Sequence, residues 1–489
     1  MLLRLLLFFT LTGYAVIAQM PVVQWQRNLG GSSDDFNTKI SENNLGEIYM
    51  AGTSFSTDHD MAGNHGGSDV FIARINSSNG SILWKKVYGG SLNDEVIAIE
   101  AIDNGGVTVL IKSGSANGNF SQSGLWLVKF DANGTESFKL PYSGNPSGKG
   151  GLLQTSDGGF IIISNKTVTS KGLDLWVLKT TSAGAISWQQ TIGGTLDEVG
   201  YDVQEMGGFF YVYGTTSSTS VNSQTNSGGD DLIVCKLNSS GVVQLTRLFG
   251  GLNDEIAGSL AVGTSFIGSE LYVTATTFSD NSGALDSLSG SSDMWLFSID
   301  EMLNNSFSVN NLVGGDSVEY AADVFFDTVN DEPWIIGTSF SAVPGDPTIP
   351  FISLYRTALG TVLGQTTLGG SLPDSASASL LLLNNNILVG GHSSSSNGNL
   401  TSNKGGKDFW IVMLGSCPDE LVIENQTYGG SLTRTADRFI KVSGTTFQGS
   451  ETRVKLRSNY ILMEPMNGSD LGIEIKPGVV FETEIGGCP

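Results

Sequence analysis

The residues best suited to chemistry are acidic pairs that recur just after double glycines: Asp34-Asp35, Asp94-Glu95, Asp197-Glu198 and Asp254-Glu255. Paired carboxylates can divide general acid and base duties in glycoside hydrolysis. They can also hold calcium, which takes several oxygen ligands. No Asp-x-Asp-x-Asp-Gly loop accompanies them, so calcium is the weaker reading and no cofactor is expected. A carboxylate placed once per repeat is expected to cap a turn, and none of the 48 acidic residues stands out as a catalytic pair. His59 and His65 share one loop without a third ligand nearby, and His392 lies far off in sequence, so no metal site is expected. There is no Gly-x-Ser-x-Gly elbow, His-Glu-x-x-His or Cys-x-x-Cys. These signals point away from an enzyme and name no catalytic residue.

The three cysteines divide into two kinds. Cys235 lies within the apolar run Leu232-Ile233-Val234-Cys235, where a lone cysteine is usually a small buried hydrophobe. Cys417 and Cys488 bracket the last part of the chain as a disulfide would. That pairing needs an oxidising compartment. The N-terminus supplies a route to one: Met1 to Arg4, an apolar run from Leu5 to Ala18 and small residues at its end read as a secretory signal peptide over 1–18. No later stretch is apolar enough to span a membrane. The chain is expected to be secreted, whether periplasmic, extracellular or at the cell surface. With 25 basic against 48 acidic residues its net charge is −23, which repels phosphate backbones and excludes nucleic acid as a natural partner.

What must position the acidic pairs is a repeat. The double glycines end at Gly31, Gly90, Gly194, Gly251, Gly315 and Gly370, with a degenerate copy at Tyr142-Ser143-Gly144. Each is followed by a strand, then by a strand ending in small polar residues, as in Ala51-Gly52-Thr53-Ser54. An Asp-x-aromatic strand comes next (Asp69-Val70-Phe71, Asp174-Leu175-Trp176, Asp293-Met294-Trp295, Asp408-Phe409-Trp410), and a fourth strand leads into the next glycines. Four short strands per unit of 50 to 64 residues, joined by Gly, Asn, Asp and Ser turns, is the signature of a seven-bladed β-propeller over 19–415. A four-stranded sheet cannot bury its faces alone, so blades must stack. Trp25, Trp84, Trp126, Trp176, Trp188, Trp295 and Trp410 are expected to fill the spaces between them. The strand Val22 to Leu29 is of the fourth type with no blade before it, and the last blade lacks that type. Joining the two would close the ring and remove its edges. Doubling of glycine is expected to serve a sharp turn with positive φ.

From 416 the pattern changes to a small all-β domain, 416–489. Arg453 to Pro465 alternates like a half-buried strand. Asn459 to Pro465, the turn Pro477-Gly478, Val480-Phe481-Glu482 and the flanking cysteines resemble the three-coathanger stack domain, a C-terminal module of secreted Bacteroidota proteins. The propeller portion resembles the secreted β-propeller repeat proteins of the same bacteria. These resemblances imply fold and location rather than activity. The reading that follows is a monomeric, non-catalytic binding or adhesion scaffold. Its loops between second and third strands, Ser56–Ser68, Ser217–Asp230 and Ser393–Lys407, would recognise a polysaccharide or a protein. The alternatives are a carbohydrate-active enzyme of glycosidase or lyase type, and a structural part of an outer-surface complex.

Overall fold

The computed structural model describes residues 20–416, apart from 145, 266–267, 281–286, 342–348, 359–360 and 401, together with short strands between 420 and 485. The predicted signal peptide, Cys417 and Cys488 lie outside the described residues. Seven four-stranded antiparallel sheets follow one another along the chain. Blades one to six occupy 35–88, 94–142, 151–192, 198–249, 255–313 and 319–368. Blade seven is built from 374–415 and, as its outer strand, Val22–Leu29. That strand pairs antiparallel with Asp408–Gly415, Val23 opposite Leu414 and Asn28 opposite Trp410. The ring is therefore closed by the two ends of the propeller sequence.

Both faces of every blade are covered, because side chains alternate across a strand. In the third strand of blade one, Val70 and Ile72 pack toward blade two, whereas Phe71 and Ala73 pack toward blade seven. The same division produces seven apolar clusters, each drawn from two neighbouring blades. Trp126, Trp176, Trp295 and Trp410, all on third strands, are buried in them. The outer-strand tryptophans do something different. Trp25, Trp84 and Trp188 each donate the indole N–H to a carbonyl in the third-to-fourth-strand turn of the next blade: Ser77, Ala132 and Ser239, all at 2.9 Å. Each ring lies over a turn glycine (Gly80, Gly134, Gly241) at which a Cβ would meet the indole at under 3.0 Å. These residues thus hook successive blades together at the rim. Cys235 is fully buried between blades three and four, and burial pushes its thiol up to about 12.

The first strand of each blade lines the axis. In six of the seven it carries a one-residue irregularity at the same point, for example between Phe36 and Lys39, Gly200 and Asp202, and Ala321 and Asp323. A bulge re-aims the side chains that follow it, and here those include Lys39, Asp202 and Asp323.

Beyond 416 the strands run parallel. Glu420–Glu424 pairs with Phe439–Ser443, and that with Tyr460–Met463; two further parallel three-stranded sheets follow the same order. The chain thus makes three passes across three sheets, with Ile440, Val442 and Leu456 buried. The alternating run 453–465 is two strands, not one. Arg453–Ser458 ends one pass and Tyr460–Met463 opens the next, on a different sheet. Alternation alone cannot reveal such a corner, because the period of two survives it.

Candidate functional site

Strand direction places the double glycines, the capping acids and the loops between second and third strands at one end of the ring. On this double-glycine face one acid of each pair closes a turn: the second in Asp34-Asp35, Asp197-Glu198 and Asp254-Glu255, but the first, Asp94, in Asp94-Glu95. The Asp35 carboxylate accepts the Gly31 N–H at 2.8 Å and the Ser56 hydroxyl at 3.0 Å, and also the Ser54 hydroxyl. Asp94 does the same with Gly90 and Ser115 at 2.7 and 2.9 Å, Glu255 with Gly251 and Thr277 at 3.0 and 2.8 Å, and Asp374 with Gly370 and Ser395 at 2.7 and 3.1 Å. The residue just before the capping acid reaches back to the preceding blade. Asp34 accepts the Lys407 N–H, Asp197 that of Leu173 and Asp254 that of Asp230, at 3.0, 2.8 and 3.0 Å; Asn93 plays this part toward Ser68. Three of the four pairs are thus a turn cap with a blade-to-blade tie, while Glu95 instead accepts Lys112 Nζ at 3.3 Å within its own blade. Among the described residues no group of three or more His, Cys, Asp and Glu is arranged to hold a metal ion.

A third acid completes the pattern. Asp69, Asp174, Asp231, Asp293 and Asp408 lie at or near the start of third strands, are buried, and each leaves Oδ1 without a hydrogen bond. Each presses, beside the next blade's capping acid, on the first glycine of the pair. A Cβ on Gly30 would strike Asp35 and Asp408, one on Gly89 Asp69 and Asp94, and one on Gly250 Asp231 and Glu255. Positive φ is not the reason for Gly89, Gly193, Gly250 or Gly314, which lack it. Glycine is required there because two carboxylates fill the space a side chain would need. Burial, with the neighbouring acid adding to it, pushes Asp408 up to about 6 and Glu255 up to about 7.

The axis holds the groups that an enzyme would use. Burial pushes Glu100 up to about 8 and Asp202 up to about 7, and it lowers Lys39, which also feels Lys149. These acids are engaged across blades. Asp202 accepts the N–H of Val203 at 2.7 Å and of Leu260, in blade five, at 2.8 Å. Asp323 of blade six accepts the Ser259 hydroxyl from blade five at 2.5 Å and the Ser379 N–H from blade seven at 2.5 Å. Glu100 of blade two accepts the Gln154 N–H from blade three at 3.0 Å. They zip the inner strands together. Nothing in the sequence marks them, since each is one polar residue in a strand of alternating pattern.

The three loops proposed for recognition are braced alike. Asn64, Asn226 and Asn403 each span their loop with the side-chain amide. Asn64 reaches the Ser54 and Ser56 carbonyls, Asn226 those of Thr216 and Gly229, and Asn403 those of Ser393 and Gly406. Asp69 takes the Nδ1 of His65 at 2.6 Å. His392 is elsewhere, in the second strand of blade seven, where burial lowers it to about 4. Between these loops, in the steps from second glycine to capping acid, Leu92, Leu196, Leu252 and Leu372 stand 57, 51, 75 and 48% exposed.

No protein-family profile and no curated protein matches this sequence. Solved structures of similar fold exist. Extracellular domains 1–2 of Drosophila Semaphorin 1b align over 82% of this chain and 88% of their own, with a TM-score of 0.46 and 9% identity. The full extracellular region of Plexin A4 aligns over 80% of this chain and 47% of its own, at TM-score 0.49 and 10% identity. A protein of unknown function from Dyadobacter fermentans aligns over 80% and 98%, at TM-score 0.40 and 11% identity. No helix among the described residues is long and apolar enough to cross a membrane.

Proposed function

We propose that this protein is an exported, non-catalytic binding scaffold whose double-glycine face recognises a protein partner. The observation that carries the reading is the set of four exposed leucines held between rigid, asparagine-braced loops on that face. Large apolar side chains kept in water on a fixed frame are typical anchors for a partner. Acidic Asp34, Asp197 and Asp254 stand among them, so the partner surface is expected to be apolar at its centre and basic at its rim. The enzyme reading has less behind it, because both oxygens of the axial acids Asp202 and Asp323 are already engaged, with Asp323 tied to two neighbouring blades and Asp202 to one and to its own Val203 N–H.

The test uses the mature chain and a variant with Leu92→Asp, Leu196→Asp and Leu372→Asp. Both are immobilised and exposed to proteins released from the surface of the source cells. A partner held by the parent chain and lost by the variant supports the scaffold. Equal retention by both would move recognition off this face. Incubation with polysaccharides, followed by an assay of reducing ends, addresses catalysis. Released ends would end the non-catalytic reading and turn attention to Glu100, Asp202 and Asp323.

A further inference from the structure

A second surface lies on the side of the ring. The outer strands of blades three and four, Ile186–Ile192 and Val243–Phe249, flank a cleft of about 610 Å³. Its third wall is the hairpin Ser220–Val221 and Gln224–Thr225, which interrupts the path from second to third strand in blade four. Val221 anchors this hairpin in the apolar cluster between blades three and four. Its two-residue turn, Asn222 and Ser223, has φ of 46° and 66°, the double left-handed geometry that suits tight hairpins. The Asn222 amide donates to the Thr246 hydroxyl at 3.0 Å and fastens the hairpin to the outer strand. The cleft is thus held open before anything enters it, which spares a ligand the cost of ordering it.

The lining is chemically selective. Six of its residues carry amides or hydroxyls: Gln190, Thr191, Asn222, Gln224, Gln244 and Thr246; the rest are aliphatic or glycine. No lining residue is charged, in a chain with 48 acidic and 25 basic residues. Gln190 and Gln244 each commit one N–H to a nearby carbonyl, of Thr191 at 3.1 Å and Val242 at 3.2 Å. Their side-chain oxygens and remaining N–H groups stay available. Among the described residues, the Gln224 amide has no hydrogen bond. A phosphate, uronate or basic peptide would need an opposite charge that the cleft does not supply. Neutral hydroxyls, by contrast, both donate and accept, as amides do, and aliphatic patches can cover the C–H faces between them. The volume lies in the range of small-ligand sites. From this lining we infer that the cleft between blades three and four binds a neutral oligosaccharide segment. The cleft borders the double-glycine face through the Ser217–Asp230 loop and Gly193, but none of that face's four exposed leucines lines it.

The experiment is titration calorimetry of the mature chain with cellohexaose, maltohexaose and mannohexaose, and with hexagalacturonate as the charged comparison. Binding of at least one neutral hexasaccharide is expected, with no heat from the uronate. Gln244→Glu places a charge in the wall and Gln224→Ala removes an amide. Each is expected to weaken binding about tenfold or more, as loss of one well-made polar contact does, while the melting temperature stays close to the parent's. Leu92→Asp on the other face should leave the affinity unchanged. Absence of binding to all three neutral sugars, preference for the uronate, or affinity indifferent to both cleft variants would overturn the assignment.

Discussion

Ring closure is the feature on which the propeller most depends, and Trp25 tests it. Its strand is separated in sequence by almost the whole propeller from the strand it pairs with, so the contact forms only if the ring closes. Trp25 is 8% exposed, packs in the cluster between blades seven and one, and donates its N–H to Ser77 of blade one at 2.9 Å. Truncating a buried tryptophan to alanine costs roughly 3–5 kcal/mol through lost burial and the cavity left behind. The hydrogen bond alone accounts for about 1 kcal/mol. Trp25→Ala is therefore expected to lose roughly 3–5 kcal/mol, and Trp25→Phe roughly 1–2 kcal/mol, since the phenyl ring retains most of the packing. Urea unfolding followed by far-ultraviolet circular dichroism measures both, with the slope of the transition checked for constancy. A loss below about 1 kcal/mol for the alanine variant would mean that the strand is not locked in solution, and the closure argument would fail.

Three further outcomes are expected. Glu255, raised to about 7, is neutral in the fold at acid pH, so its contribution is full below the unfolded value near 4.5 and is lost as pH rises through 7. Urea midpoints between pH 4 and 8 should show a smaller fall for Glu255→Gln than for the parent; an identical slope would remove Glu255 from the titration. His392, lowered to about 4 by burial and by Lys407, acts in the opposite sense between about 4 and 6.5, so the comparison between chains is the informative quantity. Excess EDTA should leave the melting temperature unchanged, because the capping acids are spent on main-chain N–H groups and hydroxyls; a drop restored by calcium would place an ion at the junctions. Cys235 should resist a thiol reagent in the native protein and react fully in denaturant, and rapid native labelling would contradict its burial.

The repeat carried most of the architecture, for physical reasons. Double glycines, strand-ending serines and Asp-x-aromatic strands recur because every blade solves the same packing problem. A residue needed seven times is visible in a single sequence. Ring closure followed from counting strand types at the two ends. What occurs once left no such trace. The hairpin at Asn222-Ser223 looked like any polar loop, although its anchor Val221 is the apolar residue that distinguishes it. Asp202 and Asp323 owe their position to bulges, which insert a residue without changing composition. The role of the first glycine is hidden in the sequence for a related reason. A sequence shows that a side chain is forbidden, but not whether the obstacle is the backbone's own torsion or a neighbour brought in from another blade.

That obstacle explains where the repeat decays. A buried carboxylate with an unpaired oxygen is costly, and two ionised carboxylates facing one another across a glycine repel. The arrangement is coherent only when both acids and the glycine are present. It is complete at five junctions: Asp408 with Asp35, Asp69 with Asp94, Asp174 with Glu198, Asp231 with Glu255 and Asp293 with Glu319. Between blades two and three both acids are gone together. The third strand of blade two opens with Gly124, the first strand of blade three with Gly151, and here the double glycine itself is degraded to Ser143-Gly144. Between blades six and seven only the aspartate of the third strand is lost, replaced by Phe351, and Asp374 remains with one oxygen unpaired. The capping acid can stand alone because it still serves the Gly370 turn and Ser395. The described residues hold no junction with the reverse arrangement, the third-strand aspartate without the capping acid. The capping acid is thus the member that makes the turn, and the third-strand aspartate depends on it.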